Sequence, residues 1–150
     1  MNNPIINRSG TRGGDPDRVV LSPLVLRARI VFKLLAWIFI VCILIQVFLA
    51  GLAVFWNPDQ WAGHRGFSRL LIIPPVLMLV ISFIARLPVS IRLSSAGLIV
   101  ALILMGVTAH LKIGYLSALH PVIALMMFMG TASIARQTAA LNKAKQGSAG

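Results

Sequence analysis

Four apolar runs, each close to the length of a membrane crossing, constrain this chain more than anything else in it. The first, about Leu34 to Trp56, reads "LLAWIFIVCILIQVFLAGLAVFW"; the others lie at about Phe67 to Ala85, Ser94 to Leu111 and Leu119 to Ala135. A hydrocarbon core of roughly 30 Å is crossed by about 20 helical residues. In lipid, a helix satisfies its own backbone polar groups, so runs of this length fold as helices. Composition agrees: 58% of the 150 residues are hydrophobic and 11% are charged, against about a quarter charged in soluble domains. Short connections place consecutive spans side by side and antiparallel. The expected fold is an all-α membrane protein, an up-down-up-down bundle of four transmembrane helices over about residues 34–136.

The flanks are polar. Residues 1–23 are rich in Gly, Pro, Asn and Arg and carry little periodicity, which reads as a disordered cytoplasmic arm. Residues 24–33, "LVLRARIVFK", set Arg27, Arg29 and Lys33 among apolar side chains; this is an amphipathic helical lead-in at the headgroups or the direct start of the first span. The apolar region starts too late and runs too long for a cleaved signal peptide. Residues 137–150 form a basic cytoplasmic tail that frays after Arg136.

The net charge of +11 would suggest nucleic acid in a soluble protein, but here the cations cluster at span ends and no basic patch is interleaved with aromatics. Nucleic acid is excluded as a partner. The cations act instead as topology signals and anionic-lipid contacts. With the amino end inside, Arg8, Arg12, Arg18, Arg27, Arg29, Lys33, Arg86, Arg92, Arg136, Lys143 and Lys145 face the cytoplasm, and only Arg65, Arg69 and Lys112 face outward. The positive-inside bias therefore sets both termini in the cytoplasm of a bacterial inner membrane, with Trp56, Trp61 and Tyr115 in the outer aromatic belt.

Little site chemistry is left. Cys42 is the single cysteine and lies inside a span, and the acids number three, Asp15, Asp17 and Asp59. Cysteine-bound zinc, iron–sulfur clusters, attached c-type haem and paired-carboxylate catalysis are thereby set aside. The histidines remain. His64 precedes span 2, His110 ends span 3 and His120 begins span 4, so all three share one depth near the outer face. Spans 2 and 4 are diagonal in such a bundle. Neighbouring helices pack about 8–10 Å apart, which makes a diagonal about 12–14 Å. Imidazoles reaching inward from both corners leave a gap of roughly two iron–nitrogen bonds. Neutral imidazole is a common haem ligand, so His64 and His120 are the expected axial ligands of a haem b. His110 fits less well and serves as a propionate contact or an alternative ligand. Arg65, Arg69 and Lys112 are the cations available to the propionates. Gly51, Gly63, Gly66, Gly114 and Ala118 let a flat ring approach the backbone. Span 4 carries a mostly small stripe of His120, Ala124, Met127, Thr131 and Ala135. Gln46, the amide inside span 1, should face the interior and find a partner.

The stretches "GHRGFSRLL" and "LHPVIALMMF" resemble the histidine-bearing helices in one four-helix half of haem A synthase and related bis-histidine b-type membrane cytochromes. The order of "QVFLAG" (Gln46 to Gly51), the His-Arg element and the Leu-His-Pro element also resembles a family of small bacterial four-helix membrane proteins of unknown function. The resemblance implies a single-haem unit with His64 and His120 in the ligand positions. The chain departs from the synthase: the second half is missing, span 1 shows no counterpart of the acidic residue tied to its chemistry, and a glycine follows His64 by two residues.

Plainer roles compete with these. His64 can snorkel beside Arg65 and Arg69, His120 can open a helix ahead of Pro121, and His110 can meet a loop carbonyl. Pro74 and Pro75 predict a kink within span 2. Gly97, Ala101 and Gly106 on span 3 suit close packing or a homo-oligomer face; the six methionines suit core filling better than copper. The leading expectation is a b-haem electron-transfer or haem-handling subunit working with a redox partner or larger membrane complex. The alternative is an accessory or transporter-like membrane protein with no cofactor.

Overall fold

The computed structural model of the chain describes residues 22–110 and 114–147, and for His110 and residues 142–147 the backbone alone. Helix α1 runs Pro23–Phe55. Ser22 opens it, its hydroxyl accepting from Val25 N–H at 3.4 Å, with Pro23 in the first turn, where its missing N–H is no loss. Residues 24–33 are thus the first turns of the 33-residue helix itself. A short 3₁₀ turn, Pro58–Gln60, then leads into α2, Trp61–Ser68. Helix α3 covers Ile73–Ile84, α4 Val89–His110, α5 Gly114–Ser117 and α6 Leu119–Gly147.

Four helical segments are long and apolar enough to cross a membrane: Pro23–Phe55, Pro58–Ile84, Val89–Ala109 and Gly114–Leu141. In each, only 28% of the most apolar stretch is buried inside the protein, and the outward remainder is also apolar, with Trp37, Val41, Phe48, Val80, Val100 and Leu125 all exposed. So large an apolar surface belongs in lipid. The chain is a multi-pass membrane protein. Polar groups within the spans are quenched locally, as lipid requires: Ser95, Thr131 and Thr138 donate to the carbonyls of Ile91, Met127 and Ile134, one turn back, at 2.7–2.9 Å.

The spans pack as a four-helix bundle in which α1 and α4 each touch both α3 and α6. Across the diagonals, no Cα of α1 lies within 8 Å of α4, and none of α3 within 8 Å of α6. The core threads the axis through Phe32, Phe39, Met78, Leu87, Ile91, Met127 and Ile134, all nearly or wholly inaccessible. On α1 the buried positions Val25, Ala28, Phe32, Ala36, Phe39, Ile43 and Gln46 follow one another at steps of three or four, the seam of a helix against close neighbours.

Three boundaries differ from the sequence reading. Span 2 is not one helix kinked at its prolines: the break falls earlier, over residues 69–72. There Leu70, Leu71 and Ile73 N–H groups bond three residues back, to Phe67, Ser68 and Leu70, the tighter 3₁₀ pattern. Pro74 and Pro75 then occupy the first turn of α3, where no intrahelical N–H is needed. The third helix starts at Val89 rather than near Ser94, because Ile91 and Ser95 are buried on its inner face and the Arg92 guanidinium stacks 4.8 Å from the Phe83 ring. Helix α6 continues past Arg136 to Gly147 rather than fraying there; Thr138 is buried and Leu141 packs on the core.

Candidate functional site

The loop after α1 is tightly built. Trp56 and Asn57 N–H groups close on Leu52 O at 3.0 Å, and the Asn57 side chain accepts from Asp59 N–H at 2.9 Å. This turn delivers α2 back along the end of α1. Helix α2 has no fully buried residue, and among the helices it makes backbone-level contact with α1 alone apart from the 3₁₀ turn before it.

What fixes α2 is a reciprocal pair of hydrogen bonds between Gln46 and His64. The Gln46 amide Nε2–H donates to the His64 carbonyl at 2.9 Å, and His64 Nδ1 lies 3.1 Å from the Gln46 carbonyl. A carbonyl can only accept, so Nδ1 carries the proton and Nε2 keeps the lone pair. Trp61, one turn earlier, packs edge-on against the imidazole at 5.4 Å between ring centres. Gln46 has thus found the interior partner expected of an amide inside a span.

From the opposite side comes His120, the second residue of α6. No Cα of α2 lies within 8 Å of α6, yet the His64 and His120 ring centres stand 6.1 Å apart with their planes inclined at 52°. The two imidazoles reach across this gap. Two metal–nitrogen bonds of about 2.0–2.1 Å, added to the two ring radii, come to about 6 Å. The spacing therefore suits one metal centre held between two imidazoles.

Beneath the rings lies a partly open cavity of about 120 Å³, bounded by Ile43, Gln46, Leu71, Met105, Ala124 and Met127 as well as both histidines. Ala124 and Met127 belong to the stripe read on span 4. Two buried polar atoms here have no hydrogen-bond partner, Gln46 Oε1 and His120 Nδ1. Among the described residues, no group of three or more His, Cys, Asp or Glu side chains converges.

Of the remaining expected site residues, Arg65 lies on α2 and Arg69 just after it, both exposed. Lys112 lies outside the described residues, as does the side chain of His110, whose backbone closes α4. Sequence reasoning missed the direct coupling of Gln46 to His64; the signal available was the single amide of span 1.

Residues 46–111 match the model of a family described as one of unknown function (DUF6220). The match takes in Gln46 and His64 and ends before His120. No curated protein and no solved structure matches the chain. The likeness to haem A synthase has no support in these matches and rests on the quoted motifs.

Proposed function

We propose that this membrane protein holds a haem b between His64 and His120, near the outer face of a bacterial inner membrane, as an electron-transfer or haem-handling subunit. The observation that carries the reading is the 6.1 Å approach of two imidazoles from helices with no Cα atoms within 8 Å of each other. The donor set fits haem iron. His64 is already oriented by a backbone carbonyl, the usual outer-shell partner of a metal-binding imidazole, and His120 Nδ1 is buried without a partner. Arg65 and Arg69, with Lys112, are the cations proposed for the propionates. A bound haem supplies reversible one-electron chemistry.

The cavity is the restraint on this reading. Its volume of about 120 Å³ is below the roughly 300–1,000 Å³ of pockets that enclose drug-sized ligands and cofactors. The macrocycle has room only if the walls around the ring pair open, and α2 is the least buried of the helices beside the site.

The test is the reduced-minus-oxidised absorbance spectrum of the full chain, purified after expression with ample haem. A six-coordinate b-type spectrum in the wild type, lost in both His64→Ala and His120→Ala, is the expected result. A colourless wild-type protein, or a spectrum unchanged in both variants, overturns the reading. One observation favours the rival of an accessory protein without cofactor: the Gln46–His64 bonds already staple α2 to α1. That rival predicts a colourless protein that purifies with a stable protein partner.

A further inference from the structure

Arg29 is a buried cation with too few partners. It stands in the second turn of α1 at 5% exposure, and its Nε–H donates to Ala85 O at 3.1 Å. That carbonyl closes α3 and is neutral, so it offsets the charge only through the carbonyl end of the helix. The two terminal nitrogens of a guanidinium carry its other N–H donors, and those of Arg29 make no hydrogen bond or ion pair. Among the described residues, the buried side-chain atoms sealed off without a partner are Gln46 Oε1, Arg92 Nε and His120 Nδ1. Neither terminal nitrogen of Arg29 is one of them, so both keep contact with the surface.

The surroundings are cationic. Lys33, half-buried, follows one turn later on the same face of α1, and exposed Arg86 comes directly after Ala85. The one acid among the described residues, Asp59, lies in the turn after α1, at the other end of the bundle. A buried charge is stable only when paired. We infer that Arg29 binds the phosphate of an anionic phospholipid at the end of the bundle that carries the α3–α4 turn. Its terminal nitrogens donate two parallel N–H bonds to two phosphate oxygens, the match for which a guanidinium fork is suited, and Lys33 and Arg86 add positive charge. Arg29 precedes the apolar run that starts at about Leu34 by about 7.5 Å of helix, the depth of headgroups. Leu26 and Ile30, exposed beside it, give the acyl chains an apolar wall. The site lies away from the histidine pair and does not depend on what that pair holds.

Native mass spectrometry of the full chain, titrated in detergent with phosphatidylglycerol or phosphatidylcholine, tests this. The wild type is expected to retain phosphatidylglycerol more strongly, and a large excess of inorganic phosphate should not displace it. Arg29→Gln should weaken retention by about fivefold or more. Arg29→Lys, which keeps the buried charge and loses the fork, should lose a smaller part of it. Arg27→Gln, at the same depth on the opposite face of α1, should leave retention unchanged. No phosphatidylglycerol preference in the wild type, retention unmoved in both Arg29 variants, or equal loss in Arg27→Gln and Arg29→Gln overturns the inference. Displacement by inorganic phosphate does so too, since the site would then take the free anion. A preference that emerges only in the Asp15→Asn/Asp17→Asn double variant also overturns it, because the chain's own carboxylates would then be the partners of Arg29.

Discussion

Arg86 occupies a backbone conformation that an L-residue adopts only under constraint, with φ at +48°. The constraint is the end of α3: Leu87 N–H reaches back to Ser82 O at 3.0 Å and Arg86 N–H to Phe83 O at 3.1 Å. That bond pair is the Schellman closure, whose left-handed position is usually glycine. A left-handed residue with a side chain costs about 1–2 kcal/mol, partly offset in the glycine alternative by its greater loss of chain freedom. Arg86→Gly should therefore hold or slightly raise the unfolding midpoint in detergent, whereas β-branched Arg86→Val should lower stability by about 1–2 kcal/mol. Equal midpoints for the two variants would contradict this account. The same turn explains Arg29, read from sequence as a headgroup-level cation. It is buried, at 5% exposure, and its Nε–H donates to Ala85 O at 3.1 Å, where the carbonyl end of α3 attracts positive charge. Arg29→Ala should destabilise by roughly 1–3 kcal/mol through the lost charged bond, measured by the same unfolding midpoint.

At the scale of elements, the existence of the four spans was legible because lipid demands a length of apolar sequence and little else. Where they begin and break was less so. The polar stretch around Arg86, Pro88 and Arg92 reads as a turn, but α4 starts at Val89 and Ser95 bonds to its own helix at Ile91, so these letters hide its opening turns. Pro74 and Pro75 announce an interruption without saying on which side it falls. The 3₁₀ bonds over residues 69–72 leave no distinct residue signature, since Arg69, Leu70, Leu71 and Ile72 are all acceptable helix formers. The break matters because it separates a well-packed α3, with Met78 fully buried, from an α2 that buries nothing completely. Met78→Ala should cost about 2–5 kcal/mol. Hydrogen exchange should show α2 amides opening far more readily than those of α3, and, if haem binds, gaining protection on loading. Equal exchange in α2 and α3 would remove the argument that α2 is the element able to make room for a macrocycle.

For the whole molecule, the diagonal relation of spans 2 and 4 followed from nothing more than span order, and the packing of α1 and α4 on shared neighbours agrees with it; His64 itself sits on α2, which packs on α1. The expected ring gap assumed that His64 rises from span 2 itself, whereas it sits on α2, tied to α1 through Gln46. Which end faces the cytoplasm is proposed from the charges and can be tested directly. The turn between α1 and α2 lies at the histidine end, with Asp59 exposed; the turn between α3 and α4 lies at the other end, with Ser90 exposed. The orientation proposed above, read from the positive-inside bias of the sequence, has Asp59 outside and Ser90 inside. In a Cys42→Ala background, Asp59→Cys should react with a membrane-impermeant maleimide in intact spheroplasts, and Ser90→Cys only after lysis. The converse pattern would put the histidine pair beside the cytoplasm. The same orientation governs the chemistry: if the pair holds a haem near the outer face, an impermeant oxidant added to intact spheroplasts should oxidise it directly. Labelling as expected with a haem that such an oxidant cannot reach would mean that the cofactor sits elsewhere than between His64 and His120.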